Sequence, residues 1–577
     1  MKRIYNIFIA GISALLMMQS CDLTLQPEHE VTPDNYFKTE SDLMLWSNSF
    51  YKTLLESAEI GATSDLMMSN GISAYVSGNR NPETQSWSFS VLRDINYMLE
   101  HLDQCEDKAA ATKYEGVGRF FRAYFYFKLV RMYGDVPYYD KVLGSTDSDN
   151  YKARDDRGFV MNKVLEDFRF AADVLPSSWG EFNTRVTKWA ALGFASRAAL
   201  YEGTFRKYHS IEGYDKYLTE AYEFAKEFIN ASPYSLYNEG NTPYRDLFVS
   251  ADAKTREVVL CRHYNIDYGI FHSLGYNMDF SRVSLTRRFV NHYLMADGSR
   301  FTDKEGWETM FYTDEMKNRD PRLAQTVMCP GYVQKGATAV TPCEFYSWTG
   351  YQPIKHVPEA SKCMSSSDDT DWCLLRAPEV YLNYAEAAAE LGILLQADLD
   401  MTVNKIRERA KMPKLQMDKA NENPDSYLLE CYPNVTRSQF TGVILEIRRE
   451  RTVELALEEP DRSWDMFRWG ECKQCLQHYV PWYGAYIPGL GSYDTSGDGV
   501  ADVTFFRSAD GSIKIQVGTK IQDVALSDGD KGYIVAYSTT DYGSLWDDER
   551  DYLWPIPASQ RILNPNLTQN CGYVDGL

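Results

Sequence analysis

The spacing most suggestive of chemistry lies between residues 494 and 502. Asp494, Ser496, Asp498 and Asp502, with Gly499 after the third, match the first nine positions of a calcium loop, D-x-S-x-D-G-x-x-D. Carboxylates and a hydroxyl at that spacing converge on a hard cation, and the glycine permits the sharp turn. The twelfth position holds Phe505 in place of a bidentate Glu, and no helical pattern flanks the loop. A calcium site and a plain Asp/Gly turn therefore both stand. Cys472 and Cys475 form a lone C-x-x-C with His478 three residues on. Four zinc ligands are not in view and the stretch has helical periodicity, so packing is the reading there. Cys363 with Cys373, and Cys329 with Cys343, bracket loops that an oxidising compartment would let close, with connectivity left open.

Motifs for covalent or phosphate chemistry do not occur. The chain holds no G-x-S-x-G, H-E-x-x-H, phosphate loop or dinucleotide fingerprint. Gly116-Val117-Gly118 and Gly489-Leu490-Gly491 lack the third glycine and the preceding strand. A glycosidase would need two carboxylates at defined separation, and 81 acidic residues supply candidates without marking a pair. The missing motifs disfavour catalysis without excluding it, and a binding protein, not an enzyme, is the expectation.

Rings are the second chemical resource. Aromatic residues make up 14% of the chain, with 41 Tyr and 12 Trp, more than a core of this size needs. Flat rings with a polar edge pack on the C–H faces of sugars, while Arg and Asn bond hydroxyls. The candidate ligand residues are Tyr75, Asn79, Arg80 and Trp87 from the loop before the second helix. Tyr268, Phe271, Trp307, Tyr312, Trp348 and Tyr351 join them from the central, loop-rich stretch. Trp87 also fits a helix stripe, which makes it a core candidate as well.

Elements that could position these rings are mainly α-helical. Thr39 with Asp42 reads as a capping box opening a helix whose Leu43, Trp46, Phe50 and Leu54 share one face. Trp87, Val91, Ile95, Met98 and Leu102 form a second stripe. Val117 to Tyr133 is apolar almost all round and so central, with Gly134 and Pro137 ending it. Trp189, Leu192 and Gly193 show the W-x-x-L-G opening of a tetratricopeptide repeat, and Ala221, Ala225 and Pro233 fit its second helix; Phe228 departs from the pattern. Later pairs run from Pro378 to Leu391 with Asp398 to Lys411, and from Phe440 to Glu458 with Ser463 to His478. Such pairs bury their faces by stacking, which predicts a tetratricopeptide-like scaffold. Phe248 to Trp372 and Pro481 to Leu577 read as irregular, and binding residues concentrate on loops held by a rigid frame.

The N-terminal residues look like a processing signal. Lys2 and Arg3 precede an apolar stretch from Ile4 to Met18, too short for the roughly 30 Å hydrocarbon core. Ser20-Cys21 is where bacterial lipoprotein processing cuts. The expected organisation is a signal peptide at 1–20, a lipidated tether at 21–36 starting with Cys21, an N-terminal helical region at 37–247, and a C-terminal region at 248–577. Acyl chains at about 0.8 kcal/mol per buried methylene would hold the protein at a membrane. A net charge of −21 repels phosphate backbones and argues against nucleic acid.

The chain resembles the SusD/RagB family of outer-membrane nutrient-binding lipoproteins almost end to end. Tyr36-Phe37-Lys38-Thr39-Glu40, Arg122-Ala123-Tyr124, Tyr133-Gly134-Asp135-Val136-Pro137 and Arg197-Ala198-Ala199-Leu200-Tyr201 carry the resemblance in the first half. Asn318-Arg319-Asp320-Pro321-Arg322, Glu379-Val380-Tyr381-Leu382-Asn383-Tyr384-Ala385-Glu386-Ala387, Glu446-Ile447-Arg448-Arg449-Glu450-Arg451, Trp554-Pro555-Ile556-Pro557 and Asn564-Pro565-Asn566-Leu567 carry it in the second. The resemblance implies four tetratricopeptide-like pairs under an irregular ligand face. It also implies a TonB-dependent, SusC-like transporter as partner, at the extracellular side of the outer membrane. Members capture various glycans and some capture peptides, so a glycan leads and a peptide is the alternative.

Overall fold

The computed structural model describes residues 36–577, apart from 70, 84–86, 181, 281–282, 344, 346–347, 459–461, 479–481, 538–545 and 575–577. Cys21, the signal stretch and the tether up to residue 35 lie outside the described residues. Helix α1 (Glu40–Leu54) starts at the expected capping box: the Asp42 amide donates to the Thr39 hydroxyl, and the Thr39 amide donates back to the Asp42 carboxylate. Leu43, Phe50 and Leu54 are buried and Trp46 is half-buried, donating from Nε1 to the Asp94 carbonyl (2.9 Å) on α2 (Ser90–Glu100). Helix α3 (Lys108–Tyr133) is buried on all sides through Phe120, Phe121, Tyr124, Phe125, Phe127 and Val130. It ends at Gly134, whose φ of 72° suits a residue without Cβ.

Helix α3 pairs with α4 (Arg157–Val174), an element that none of the sequence patterns marked. Next comes the pair read from the W-x-x-L-G spacing, α5 (Lys188–Tyr208) and α6 (Tyr214–Ala231), with Thr187 capping the Ala190 amide. The two approach closely at Gly203, where a Cβ would stand 2.9 Å from the Leu218 nitrogen. After α7 (Leu274–Phe280) in the central stretch, α8 (Ala377–Leu391) opens with Pro378 and closes at Gly392. Its partner is broken at Thr402 into α9 (Gln396–Met401) and α10 (Val403–Arg409). Helix α11 (Thr441–Glu454) ends four residues before the expected Glu458. The chain turns there at Leu457 with a φ of 60°, and helix α12 covers only Arg462–Arg468 because Gly470 turns the chain again with a φ of 65° before a separate π-helical turn at Gln474–His478. Among the described residues no helix is long and apolar enough to cross a membrane.

The expectation of irregular structure after Pro481 fails. Strand β5 (Trp482–Ile487) pairs antiparallel with β11 (Lys531–Tyr537), which carries β10 (Leu526–Asp528) on its other edge. A meander of β6 (Gly491–Tyr493), β7 (Val503–Arg507), β8 (Ile513–Val517) and β9 (Lys520–Asp523) covers a second apolar cluster. Two short antiparallel ladders complete the strands: β1 (Met67–Met68) with β3 (Ser284–Leu285), which ties the N-terminal region to the C-terminal one, and β2 (Val258–Arg262) with β4 (Trp372–Arg376) within the latter. All ten described cysteines are thiols, so neither suggested disulfide forms, and Cys373 lies across the β2–β4 ladder from Cys261, not against Cys363. Cys472 and Cys475 are buried, as packing requires.

Between the helix pairs lies a buried charge lattice. Arg376 reaches Glu454 (2.6 Å), Glu458 (2.6 Å) and Glu257 (2.9 Å); Glu454 also takes Arg322 (3.0 Å) and Arg409. Arg322 is further held by Asp320 (2.7 Å) and Glu450 (2.5 Å). Burial works against the Glu454 carboxylate, but three guanidiniums outweigh it and hold its pKa far below the usual range. Asp320, Arg322, Glu446, Glu450 and Arg451 thus act as cross-braces between elements. A final helix, α13 (Ala558–Leu563), follows the Trp554–Pro557 turn.

Candidate functional site

The ligand candidates separate into buried rings and offered rings. Tyr312 is fully buried, its hydroxyl donating to the Met328 carbonyl. Tyr351 is equally buried and donates to Glu315 Oε2 at 2.7 Å. Burial pushes both phenols well above their usual range, so each remains a fixed donor inside the fold and faces no ligand. Arg80 is buried too. Its guanidinium lies 4.4 Å from the Trp554 ring and 5.4 Å from Trp546, and it donates to the carbonyls of Asp551 and Leu553. Tyr75 is half-buried, edge-on to Trp554 (4.9 Å) and Trp464 (6.0 Å). Tyr312, Tyr351 and Arg80 are therefore removed from the ligand set, the two tyrosines because the fold takes their hydroxyls and Arg80 because it is buried among Phe467, Trp546 and Trp554. Asn79 follows the left-handed Gly78 and is exposed.

Trp307 and Trp348 converge on the β5–β11 ladder. Trp307 starts a short 3-10 turn after Gly306 and is half-buried, with ring edges 6.1 Å from Phe301 and from Tyr427. Trp348 is 42% exposed, and its neighbour Thr349 accepts from the Ala485 amide on β5 (2.8 Å) and donates to the Leu285 carbonyl (2.6 Å). Tyr483 of β5 stacks on Tyr533 of β11 at 4.8 Å, and Tyr486 meets Tyr533 edge-on at 5.5 Å. Arg287 joins these pieces. It donates to the Trp307 carbonyl (2.8 Å), pairs with Glu315 (3.4 Å), and lies 4.9 Å from the Tyr533 ring and 5.9 Å from the Trp307 ring. Burial opposes its charge, but Glu315 and the surrounding tyrosines outweigh that, holding the guanidinium above its usual range. A fixed cation under half-exposed rings makes a rigid aromatic platform.

Tyr268 and Phe271 stand apart, on a tongue formed by residues 263–272. Asn265 and Ile270 exchange amide–carbonyl bonds (2.8 and 3.1 Å), and Gly269 turns between them with a φ of 69°. Tyr268 is 79% exposed and Phe271 43%. The base is pinned at both ends. His263 Nδ1 lies 2.8 Å from Asp371, which also takes the Tyr264 amide (3.1 Å), and His272 pairs through its backbone with Asp368 (2.9 Å). Burial raises the Asp371 carboxyl above its usual range despite these donors. Asp252, His263 and Asp371 place three ligand-type atoms within 4.8 Å of one another. Each Asp371 oxygen already accepts a backbone amide, from Tyr264 and from Ala253 (2.9 Å), so the group works as a hinge pin for the tongue.

In the acidic loop the carboxylates face their own turn. Asp494 accepts the amides of Gly497 (2.6 Å) and Gly499 (2.7 Å), Asp502 accepts those of Thr495 and Ser496 (both 2.7 Å), and Asp498 accepts that of Val500 (2.8 Å). Those backbone bonds, with the Gly499 one leading, hold Asp494 below its usual range. The segment closes the β6–β7 hairpin. Trp87 is half-buried against Tyr133 (4.9 Å, edge-on) and also lines a surface cavity. Sequence reasoning missed Arg287, Tyr483, Tyr486 and Tyr533. The aromatic-rich run Trp482–Ile487, a composition that favours strands, was the available signal, and the reading of that region as irregular hid it.

Comparison with known proteins places this geometry among relatives. A model described as "SusD family" matches residues 226–573, and one described as "Starch-binding associating with outer membrane" matches residues 34–200. SusD-like protein P2 of Formosa agariphila is 22% identical over 495 residues, covering 78% of this chain and 88% of that one. A SusD-like carbohydrate-binding protein from Bacteroides fragilis superposes with a TM-score of 0.66 at 20% identity, over 92% of this chain and 99% of that one. A solved structure described as holding a xylogluco-oligosaccharide superposes with a TM-score of 0.58 at 19% identity, over 92% and 96%.

Proposed function

This chain belongs to the SusD family, and from that premise we propose that it is a lipid-anchored outer-membrane protein that captures a glycan at the cell surface. It hands the glycan unchanged to a TonB-dependent, SusC-like transporter. The anchor is Cys21. The ligand face is the Arg287 platform, with Trp307 and Trp348 as its leading rings. What carries this reading is that the half-exposed rings of Trp307 and Tyr533 lie against one buried cation, with Tyr483 and Tyr486 packed on Tyr533 and the exposed Trp348 next to the Thr349 contact with β5. Rings gathered only for packing would be covered, as Tyr312 and Tyr351 are. The carbohydrate-binding description of one relative and the oligosaccharide held by another support the same ligand class.

A Trp307→Ala/Trp348→Ala double variant tests the reading. A ring stacked on a sugar is worth on the order of 1 kcal/mol beyond area burial, by analogy with aromatic pairs, and each 1.4 kcal/mol is tenfold in affinity. Affinity for the cognate polysaccharide, found by screening a panel on affinity gels, should fall roughly 10- to 100-fold. The fold should persist, because Arg287 holds Trp307 through its backbone carbonyl. Normal binding by the double variant would displace the site. Retention of mixed peptides with no glycan binding would replace the ligand class, and new reducing ends on incubation would overturn the absence of chemistry. In fractionated cells lacking the transporter, Cys21→Ala should leave the membrane.

A further inference from the structure

A second concave site lies on the opposite element set. Between α2, the loop through Tyr139 and helix α13 is a cavity of about 550 Å3, within the range of roughly 300–1,000 Å3 typical of small-molecule sites. It shares no residue with the Arg287 platform. Trp87, Phe89 and Tyr139 form its wall, and Tyr151, more than half exposed, stands at the rim. The rings are not loose: Trp87 is braced edge-on by Tyr133 (4.9 Å), and Phe89 by Tyr139 (5.7 Å) and Phe125 (5.6 Å).

Asn96 points to what the cavity takes. It is 1% exposed, and its Nδ2 donates to the carbonyls of Tyr139 (3.1 Å) and Lys141 (3.4 Å), while its buried Oδ1 accepts from no described group. An unsatisfied buried acceptor costs about 1–3 kcal/mol, which a hydroxyl entering the cavity beside Asn96 would recover once the amide turns toward it. The two cations at the mouth are already committed. Lys141 pairs with Asp149 (3.0 Å), and Arg93, which donates to the Leu143 carbonyl (2.6 Å), has the neighbouring Asp94 carboxylate as its counter-charge. An anion therefore finds no free counter-charge, and a purely apolar guest would leave Asn96 unpaired. Flat rings beside a hydroxyl-seeking acceptor, without net charge, match a neutral sugar.

We propose that this cavity is a second saccharide site, binding a neutral sugar ring against Trp87 and Phe89 with a hydroxyl on Asn96 Oδ1. The proposal rests on the reading above for its ligand class, not for its location. Two sites on one chain would hold a long polysaccharide with greater avidity than either alone, provided the polymer spans both.

The test uses the full mature chain with its 12 tryptophans replaced by 5-fluorotryptophan. The 19F signals of Trp87, Trp307 and Trp348 are assigned through their Phe variants. Probes are glucose, galactose, mannose and xylose, with the linear hexasaccharides of each, and cyclohexanol as an apolar control. At least one sugar should move the Trp87 signal saturably. Tyr151→Ala, at the exposed rim, should weaken that response roughly fivefold, one ring's worth, and leave the Trp307 and Trp348 responses unchanged. A Trp87 signal still before every sugar, or moved by cyclohexanol alone, overturns the proposal. Sugars that move Trp87 but neither Trp307 nor Trp348 would sustain this cavity and overturn the platform, so the two failures read out on different nuclei.

Discussion

The lattice around Arg376 and the platform around Arg287 use the same residue types for opposite ends. In the lattice, Arg322, Arg376 and Arg409 face Glu257, Glu450, Glu454 and Glu458 with every charge buried and paired, and the tyrosine beside them, Tyr244, is fully enclosed. In the platform a single buried arginine meets one carboxylate, and its guanidinium also lies against rings that solvent can reach. Ring and guanidinium chemistry alone does not tell support from ligand face. The count of carboxylates around the arginine, and what is left exposed, does.

The largest effect that would break this comparison is loss of the lattice. Arg376→Met leaves Glu454 and Glu458 buried with fewer counter-charges. Breaking a buried pair by removing one partner costs about 3–5 kcal/mol, a large share of the roughly 5–15 kcal/mol that holds a domain together. Soluble yield should collapse, or the urea midpoint fall steeply. A midpoint close to that of the wild-type protein would mean the lattice is redundant.

A smaller effect sharpens the same point, since one carboxylate of the scaffold is not well paid in charge. Glu471 is buried, with Arg448 at 3.4 Å and its Oε2 lacking a donor, and burial pushes its pKa up to about 8 from 4.5. A carboxyl whose folded pKa is raised keeps its proton where the unfolded chain has lost it. The folded state therefore binds more protons between about pH 4.5 and 8, and stability falls as pH rises through that window. Glu471→Gln removes this penalty. Its thermal midpoint should exceed the wild-type value by a margin that grows from pH 5 to pH 8 and then levels off. A margin independent of pH would show that Glu471 is ionised in the folded protein at pH 5.

How much of this was legible in the sequence divides along the same line. The α1 capping box, the all-round apolar α3 and the α5–α6 repeat signature were readable because local spacing decides them. Helix α4 was not recognised although its signal is present: Asp156 caps it, and Val160, Val164, Phe168 and Ala171 recur every three or four residues on one buried face. The strands after Pro481 were missed although Ile513 to Val517 alternates cleanly, because closely spaced glycine turns keep each run to a few residues. Among the ligand candidates, the exposure of Tyr268 and Trp348 and the burial of Tyr312 and Tyr351 could not be separated. All four sit in Gly- and Pro-rich sequence, and only the pairing of Tyr351 with Glu315 and Tyr312 with the Met328 carbonyl distinguishes them. Arg80 looked like a hydroxyl binder because its ring neighbours, Trp546 and Trp554, lie more than 460 residues away in sequence.

The smallest expected effect concerns the tongue. Tyr268 is more exposed than any other ring discussed, and its backbone is fixed by the Asn265–Ile270 ladder independently of its side chain. Tyr268→Ala should shift stability by no more than about 0.5 kcal/mol, as for surface positions away from special features. Between the tongue and Arg287 runs α7, whose seven residues span about 10 Å at 1.5 Å per residue, longer than one sugar ring. If the tongue and the platform are separate parts of the ligand face, a ligand of one or two rings on the platform does not reach Tyr268, whereas a long oligosaccharide does. The variant should bind a disaccharide of the cognate glycan as the wild type does. It should bind the hexasaccharide roughly fivefold more weakly, the worth of one ring at about 1 kcal/mol. Equal losses for both lengths would merge tongue and platform into one site. No loss at either length would confine the ligand face to Trp307, Trp348 and the β5–β11 tyrosines, leaving the tongue to another partner.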